Sequence, residues 1–182
     1  DYAVDLGHTY LLMGEEKKGN KVFDKTIKEM KSNQSYITSL ARAFASIGQN
    51  QRALNTYESG KKLLKGEYDF NYEIAEIYSE MGNYKGMVEQ YMGLLDVSDA
   101  YLQNVQNALH RTMGFEANSE QNQILKTALL KRIQKNPEKK IFSEMLIWVY
   151  IQEKNFEGAF RQVKALDNRF SEDGARVMAF AE

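Results

Sequence analysis

The two histidines, His8 and His110, are the residues best suited to chemistry, because imidazole acts as a general acid–base group and as a metal ligand. Cysteine is absent, which removes thiolate catalysis and cysteine-based zinc sites. The chain also has no glycine-rich phosphate loop and no nucleophile elbow, and its acidic residues are scattered. We therefore expect no enzymatic activity, no catalytic residue, no metal and no cofactor.

The balance of charged residues indicates which classes of partner the chain can attract. Lys and Arg together number 24 against 25 Asp and Glu, which gives a net charge of -1. A chain this close to neutrality has no general attraction for phosphate polymers, so we expect no nucleic-acid partner. No apolar run approaches the roughly 20 residues of a transmembrane helix, so we expect a soluble chain without membrane insertion. The lack of cysteine suits the cytoplasm and the periplasm equally, and localisation is not predicted.

The elements that must position any site follow a repeat of 34 residues. Each of three successive units places a small residue, then an aromatic one three positions later, then a glycine four positions after that. These columns hold Gly7, Tyr10 and Gly14; Ala41, Phe44 and Gly48; and Ala75, Tyr78 and Gly82. A small or flexible residue and an aromatic one, four positions apart, then follow in each unit. These are Gly19 and Phe23, Ala53 and Tyr57, and Met87 and Tyr91.

Each column has a physical role in a helix-turn-helix unit. A small residue lets a neighbouring helix approach closely, and an aromatic side chain one turn later fills the space beside it. Glycine ends a helix because it takes a left-handed backbone at low cost. Residues four apart lie on one helix face. Since proline occurs once and strong helix formers are plentiful, the whole chain is predicted to be α-helical.

The length and the order of these columns resemble the tetratricopeptide repeat family. The resemblance implies an all-α, right-handed α–α superhelix, part of a longer protein of this family, whose first helices line a concave groove that binds another protein or a peptide. The domain prediction is a single solenoid over residues 1–182. Its repeats are expected at about 1–33, 34–67, 68–101, 102–139 and 140–173, with a partial sixth at 174–182.

The fourth repeat carries four extra residues, which we place in its turn. Asn118 is the expected N-cap of the helix after that turn, and the helix is expected to end near Pro137. The partial sixth repeat lacks a second helix, and uncapped ends of repeat arrays are sticky. We therefore expect homo-oligomers or missing sequence to cover this C-terminal helix.

The groove prediction rests on position within each first helix. The residue two before the aromatic column should face the groove, as should the residue six before it. In the fourth and fifth repeats this column holds Thr112 and Tyr150. The first set is His8, Arg42, Glu76, His110 and Trp148, and the second is Val4, Thr38, Tyr72, Gln106 and Glu144. In the alternative interpretation these positions are merely solvated, with Arg42 and Glu76 paired across adjacent helices. Since His8 and His110 are three repeats apart, stacked helices would separate them by at least about 25 Å, too far for one metal or proton relay.

Two further features have open interpretations. Lys126 to Lys140 is rich in lysine and arginine, and is either a surface for an acidic partner or the solvated face of a second helix. Phe115, in the inserted turn, is either an exposed contact or a staple onto its own helix. For the chain as a whole, the predicted function is a scaffold that binds a peptide or partner protein. The alternatives are a spacer or oligomerisation arm of a larger enzyme or sensor, and an RNA-binding helical repeat.

Overall fold

The computed structural model describes residues 1–117 and 119–181 of the chain. Within these residues the chain forms α-helices joined by turns, one short 3-10 helix at Asp99–Tyr101 and no strand. The helices are α1 (Tyr2–Leu12), α2 (Glu16–Lys28), α3 (Gln34–Ser46), α4 (Asn50–Leu63), α5 (Asn71–Glu80), α6 (Tyr84–Val97), α7 (Leu102–Thr112), α8 (Glu120–Lys135), α9 (Lys140–Gln152), α10 (Phe156–Phe170) and α11 (Ala175–Ala181). Their number and order confirm the predicted all-α helical-repeat fold. None of these described helices combines the length and apolar character that crossing a membrane requires.

The chain divides into two compact units, unit 1 (Asp1–Gly82) and unit 2 (Asn83–Glu182). Unit 1 contains α1 to α5, and unit 2 contains α6 to α11. The boundary falls in the turn of the third predicted repeat, directly after Gly82. The single domain over 1–182 stays a prediction, and each unit is described by itself.

Turns of three residues join the helices of the first, second, third and fifth pairs, and the middle residue of each is left-handed. The middle residues are Gly14, Gly48, Gly82 and Lys154, with φ of 77°, 74°, 69° and 56°. In the first pair, the N–H of the following residue, Glu15, donates to the carbonyl oxygen of Tyr10 at 2.9 Å. Equivalent bonds join Gln49 to Phe44 and Asn155 to Tyr150, each at 2.9 Å. The predicted glycine column therefore does end the first helices, by the capping geometry that a left-handed residue allows.

Unit 1 is held together by close approach of α1 and α2 and by a core of aromatic rings. A Cβ atom added to Gly7 would lie 2.3 Å from the ring of Phe23, and one added to Gly19 would lie 2.7 Å from the carbonyl oxygen of Gly7. The Phe23 ring in turn meets the ring of Phe44 edge to face, with centroids 5.3 Å apart. The small and aromatic columns thus pack against each other as the repeat predicts.

In unit 2, α8 packs against α6 and α9, while α10 packs against α9 and α11. The repeat-column residues Met87 and Tyr91 lie in this core, as do Ala159 and Val163 of α10, and all four are at most 2% exposed. Met87 stands where the repeat elsewhere has glycine or alanine, and its flexible side chain is completely buried. Leu125 and Leu129 of α8 are also fully buried.

The connection between α7 and α8 runs over residues 113–119, four residues longer than the three-residue turns of the other pairs. The extra residues therefore lie where the sequence placed them. Asn118, the expected N-cap, lies outside the described residues. The side-chain oxygen of Ser119 accepts a hydrogen bond from the N–H of Asn122 and caps α8. At its other end α8 stops at Lys135, directly before Asn136 and Pro137, as predicted.

Candidate functional site

In unit 1 the predicted groove residues Arg42 and Glu76 line a common pocket of about 280 Å³ between α3, α4 and α5. Glu73 and Glu80 of α5 line the same pocket, so three carboxylates face one guanidinium. At its floor lies Tyr57 of α4, which is 1% exposed. The pocket therefore combines a buried phenol with an excess of negative charge.

The phenol of Tyr57 is strongly affected by this position. Burial, helped by the nearby carboxylate of Glu73, raises the pKa of Tyr57 to about 12, while Arg42 hydrogen-bonds the phenol and opposes the shift. Glu73 itself accepts a hydrogen bond from the hydroxyl of Tyr68 at 3.2 Å. Arg42 therefore contacts the phenol in a pocket that three carboxylates also line, and the alternative interpretation, a simple pairing of Arg42 with Glu76, did not include Tyr57.

The remaining predicted groove residues of unit 1 differ in exposure. His8, Thr38 and Tyr72 are partly buried, and Arg42 is exposed. Val4 is only 1% exposed and belongs to the core, so its assignment to the groove was wrong. Val4 is apolar and lies beside the close contact of α1 with α2, and burial there removes its side chain from water.

In unit 2 two predicted groove residues meet around the inserted turn. The ring of Phe115 packs edge to face on the indole of Trp148, with centroids 5.0 Å apart and an interplanar angle of 84°. The ring centroid of His110 lies 6.1 Å from that of Phe115. Phe115 and Trp148 are partly buried and His110 is exposed, so the cluster keeps an accessible surface. Phe115 therefore joins α7 to α9 through these two side chains.

The other two predicted residues of unit 2 are Gln106 and Glu144, both partly buried. Glu144 is engaged within the fold, because Arg176 of α11 donates to its carboxylate at 3.1 Å. Arg176 also binds Glu172 at 2.9 Å, and Lys140 binds the same carboxylate at 2.7 Å. Hydrogen bonds from Arg176 and Lys140 lower the pKa of Glu172 to about 2. These charges tie α11 to α9, with the rings of Phe160 and Phe180 stacked 6.2 Å apart beside them.

Three of the six basic residues between Lys126 and Lys140 are neutralised by acids of unit 2. Lys126 forms a buried pair with Glu153, and Arg132 binds Glu89 and Asp96 at 3.1 and 3.2 Å. Lys139 donates to the carbonyl oxygen of Asp96 at 2.7 Å. Most of the stretch is therefore occupied in holding helices together, which neither interpretation from the sequence anticipated.

Three residues at these surfaces were not among the predicted groove positions: Tyr57, Phe115 and Arg176. Tyr57 occupies the aromatic column of the second helices, where the repeat needs only a ring, as at Phe23. Its hydroxyl was the signal for a polar role, since a buried phenol needs a partner. Phe115 was identified in the sequence as a candidate contact. Its neighbours could not be predicted, because the inserted turn has no equivalent in the other repeats.

These surfaces are suited to binding. Aromatic faces, a guanidinium and carboxylates at the edge of partly buried clusters are the groups through which proteins hold one another. No group of three or more potential ligands placed to hold a metal ion occurs among the residues that the structure describes.

Successive helix pairs, with small and aromatic residues at recurring positions, define this chain as a helical-repeat protein. It is 26% identical over 104 residues to tetratricopeptide repeat protein 8 of Homo sapiens, a match that covers 57% of this chain and 19% of that protein. The resemblance to tetratricopeptide repeat proteins is thereby confirmed. Among solved structures, the chain is similar to MamA 41-end from Desulfovibrio magneticus RS-1, with 14% identity, 96% of both chains covered and a TM-score of 0.37. No family model matches the chain.

Proposed function

We propose that this chain is a protein-interaction scaffold that binds a peptide or partner protein along the groove-facing side of its first helices. The observation that carries the proposal is the cluster of His110, Phe115 and Trp148. Large aromatic side chains that remain partly accessible, beside polar groups, are the usual energetic anchors of protein interfaces. The inserted turn adds Phe115 to that surface, so the insertion enlarges the predicted binding face.

In unit 1 the pocket of Arg42, Glu73 and Glu76 supplies the polar part of the proposed binding surface. Charged groups at such a site select partners and orient them, more than they add affinity. Tyr72, one turn before Glu76 on α5, supplies an aromatic side chain on the same helix. The preferred ligand is therefore a segment that presents apolar side chains together with hydrogen-bonding or basic groups.

The test begins with capture of partners by the intact parent protein, followed by mass spectrometry of what is retained. Binding of a captured partner is then measured for Tyr72→Ala, for Trp148→Ala and for the control Phe156→Ala. Phe156 is 59% exposed and begins a second helix, so it should not contribute. Loss of an anchor at an interface typically costs 2 kcal/mol or more, about a thirtyfold weaker affinity. If both groove variants bind as tightly as the wild type, the binding site lies elsewhere.

Association of two copies through α11 is a second candidate, because Met178 is 67% exposed on that helix. Sedimentation velocity over a range of concentrations tests it. Dimers that disappear in Met178→Lys would favour an oligomerisation arm, whereas a monomer at every concentration would count against it.

A further inference from the structure

The outer face of α2 carries a continuous line of lysines. Lys17, Lys21, Lys25 and Lys28 are spaced four, four and three residues apart, which places their side chains on one side of the helix. All four are exposed, while Gly19 and Phe23 on the opposite side are buried in the core of unit 1. We call these four residues the lysine stripe.

The lysine stripe is not neutralised by the fold. None of its four ammonium groups forms an ion pair within 4.0 Å among residues 1–117 and 119–181. Three acids adjoin the stripe in sequence, Glu16, Asp24 and Glu29, and of these Asp24 is held by Arg52 of α4 at 2.6 Å. The stripe therefore differs from the basic stretch on α8, where Lys126 and Arg132 are paired with acids of unit 2.

Like charges four residues apart on a helix repel each other, and the stripe contains two such pairs, Lys17 with Lys21 and Lys21 with Lys25. A bound anion would relieve that repulsion. A shallow groove of about 650 Å³ runs along the same face, so a ligand chain has room to lie there. It is lined by all four lysines together with Asn20, Asp24 and Glu29.

We propose that the lysine stripe is a docking surface for an extended acidic peptide segment with Asp or Glu at alternate positions. Lysines four residues apart on a helix are about 6 Å apart along its axis. Alternate residues of an extended chain project to the same side about 6.6 Å apart. The two spacings match closely enough for three or four carboxylates to meet successive ammonium groups.

An extended peptide fits these observations better than an anionic lipid surface. Interfacial helices bind membranes by burying an apolar face among the acyl chains. The apolar face of α2 is already buried against α1, so this helix offers charge alone. The surface is separate from the proposed first-helix site, because it lies on a second helix.

The test compares the whole chain with two variants that each lose four positive charges. The stripe variant is Lys17→Gln with Lys21→Gln, Lys25→Gln and Lys28→Gln. The control variant carries the same change at four exposed lysines elsewhere, Lys62, Lys85, Lys131 and Lys135. Circular dichroism checks that both remain helical. The probes are a fluorescent peptide with alternating Glu and Ser, a peptide of the same composition with its glutamates in one block, and vesicles rich in phosphatidylserine.

We expect the alternating peptide to bind the wild type and the control variant, and to bind the stripe variant at least about tenfold more weakly, from several exposed ion pairs each worth a fraction of 1 kcal/mol. Binding should also weaken as salt is added. Equal binding by both variants, equal affinity for the two peptides, or binding to vesicles alone would each overturn the proposal.

Discussion

The ammonium nitrogen of Lys126 lies 2.9 Å and 3.0 Å from the two carboxylate oxygens of Glu153. The pair joins α8 to the turn after α9, and the two side chains are 11% and 2% exposed. The ring of Tyr150 lies 5.5 Å from the same ammonium group and helps to enclose it. A charge pair this well buried depends on both partners, since either charge alone would be left without water.

We predict that Lys126→Met destabilises the protein by about 3–5 kcal/mol, because it leaves the carboxylate of Glu153 buried without its cation. The double variant Lys126→Met with Glu153→Met should be markedly more stable than Lys126→Met alone, since it removes both charges. Urea unfolding followed by circular dichroism measures these free energies.

The exposed pair Arg161–Glu157 provides the control for that prediction. Its side chains are 66% and 82% exposed, so Arg161→Met should cost less than about 1 kcal/mol. Equal effects of Lys126→Met and Arg161→Met would show that burial does not set the strength of the Lys126 pair.

The pair of Lys126 and Glu153 also shows which contacts can be predicted from the sequence and which cannot. The repeat predicted the order of the helices and most of the core, because small and aromatic columns recur wherever helices must approach and fill space. It could not predict that Lys126 and Glu153 meet, because the first three repeats have no charge where Glu153 stands: those positions hold Met13, Ile47 and Met81. Lys126 was assigned only to a basic stretch whose partners lie up to 43 residues away in the sequence, as with Arg132 and Glu89.

The groove positions divide in the same way. The fixed position in a first helix selected Arg42 and Glu76, and these two side chains line one pocket of unit 1. It failed at Val4, because the apolar side chain of Val4 is buried in the core of unit 1. It also could not show that Glu144 is held by Arg176, because that contact depends on how α11 folds back onto α9.

The close approach of α1 and α2 predicts that Gly19→Ala is destabilising, although alanine favours helices by about 1 kcal/mol. The new methyl group would lie 2.7 Å from the carbonyl oxygen of Gly7, a backbone atom that cannot move alone. Forcing an extra group into such a contact costs about 1–3 kcal/mol, so we expect a net loss of about 1 kcal/mol. Chemical denaturation measures it.

Gly114→Ala is the matched substitution, because a Cβ atom there meets no described atom within 4 Å. Its effect should stay within about 0.5 kcal/mol. A gain in stability from Gly19→Ala would mean that α1 and α2 separate at little cost.

The raised pKa of Tyr57 predicts a stability change at high pH. Between its ordinary value of 10.0 and about 12, the unfolded chain releases the phenolic proton while the folded chain keeps it. The free energy of unfolding should therefore fall as the pH rises through this range, by about 2–3 kcal/mol in total from this group. Below pH 10 the contribution is complete.

Tyr57→Phe has no proton to release, so its stability should fall less steeply than that of the wild type between about pH 9.5 and pH 12. Other tyrosines and the lysines titrate equally in both proteins and cancel in the comparison. Urea titrations at several pH values supply the data, and parallel curves for the two proteins would refute the assignment to Tyr57.

The left-handed backbone at Lys154 predicts that glycine is the better residue in the turn between α9 and α10. Lys154 has φ of 56°, in the position that Gly14, Gly48 and Gly82 occupy in other repeats. This conformation costs a residue with a Cβ atom about 1–2 kcal/mol. Glycine avoids that cost but loses about 0.5–1 kcal/mol of conformational entropy on folding. Lys154→Gly should therefore stabilise the protein by about 0.5–1 kcal/mol.

The reverse exchange isolates the cause of that gain. Gly48→Lys puts a side chain at φ of 74° where no described atom lies within 4 Å of the added Cβ, so any loss comes from the backbone and not from crowding. It should lower stability by about as much as Lys154→Gly raises it. Lys154→Ala removes the ammonium group but keeps the Cβ atom, and should not reproduce the gain. If alanine stabilises as well as glycine, the charge of Lys154 is the cause and the backbone explanation is wrong.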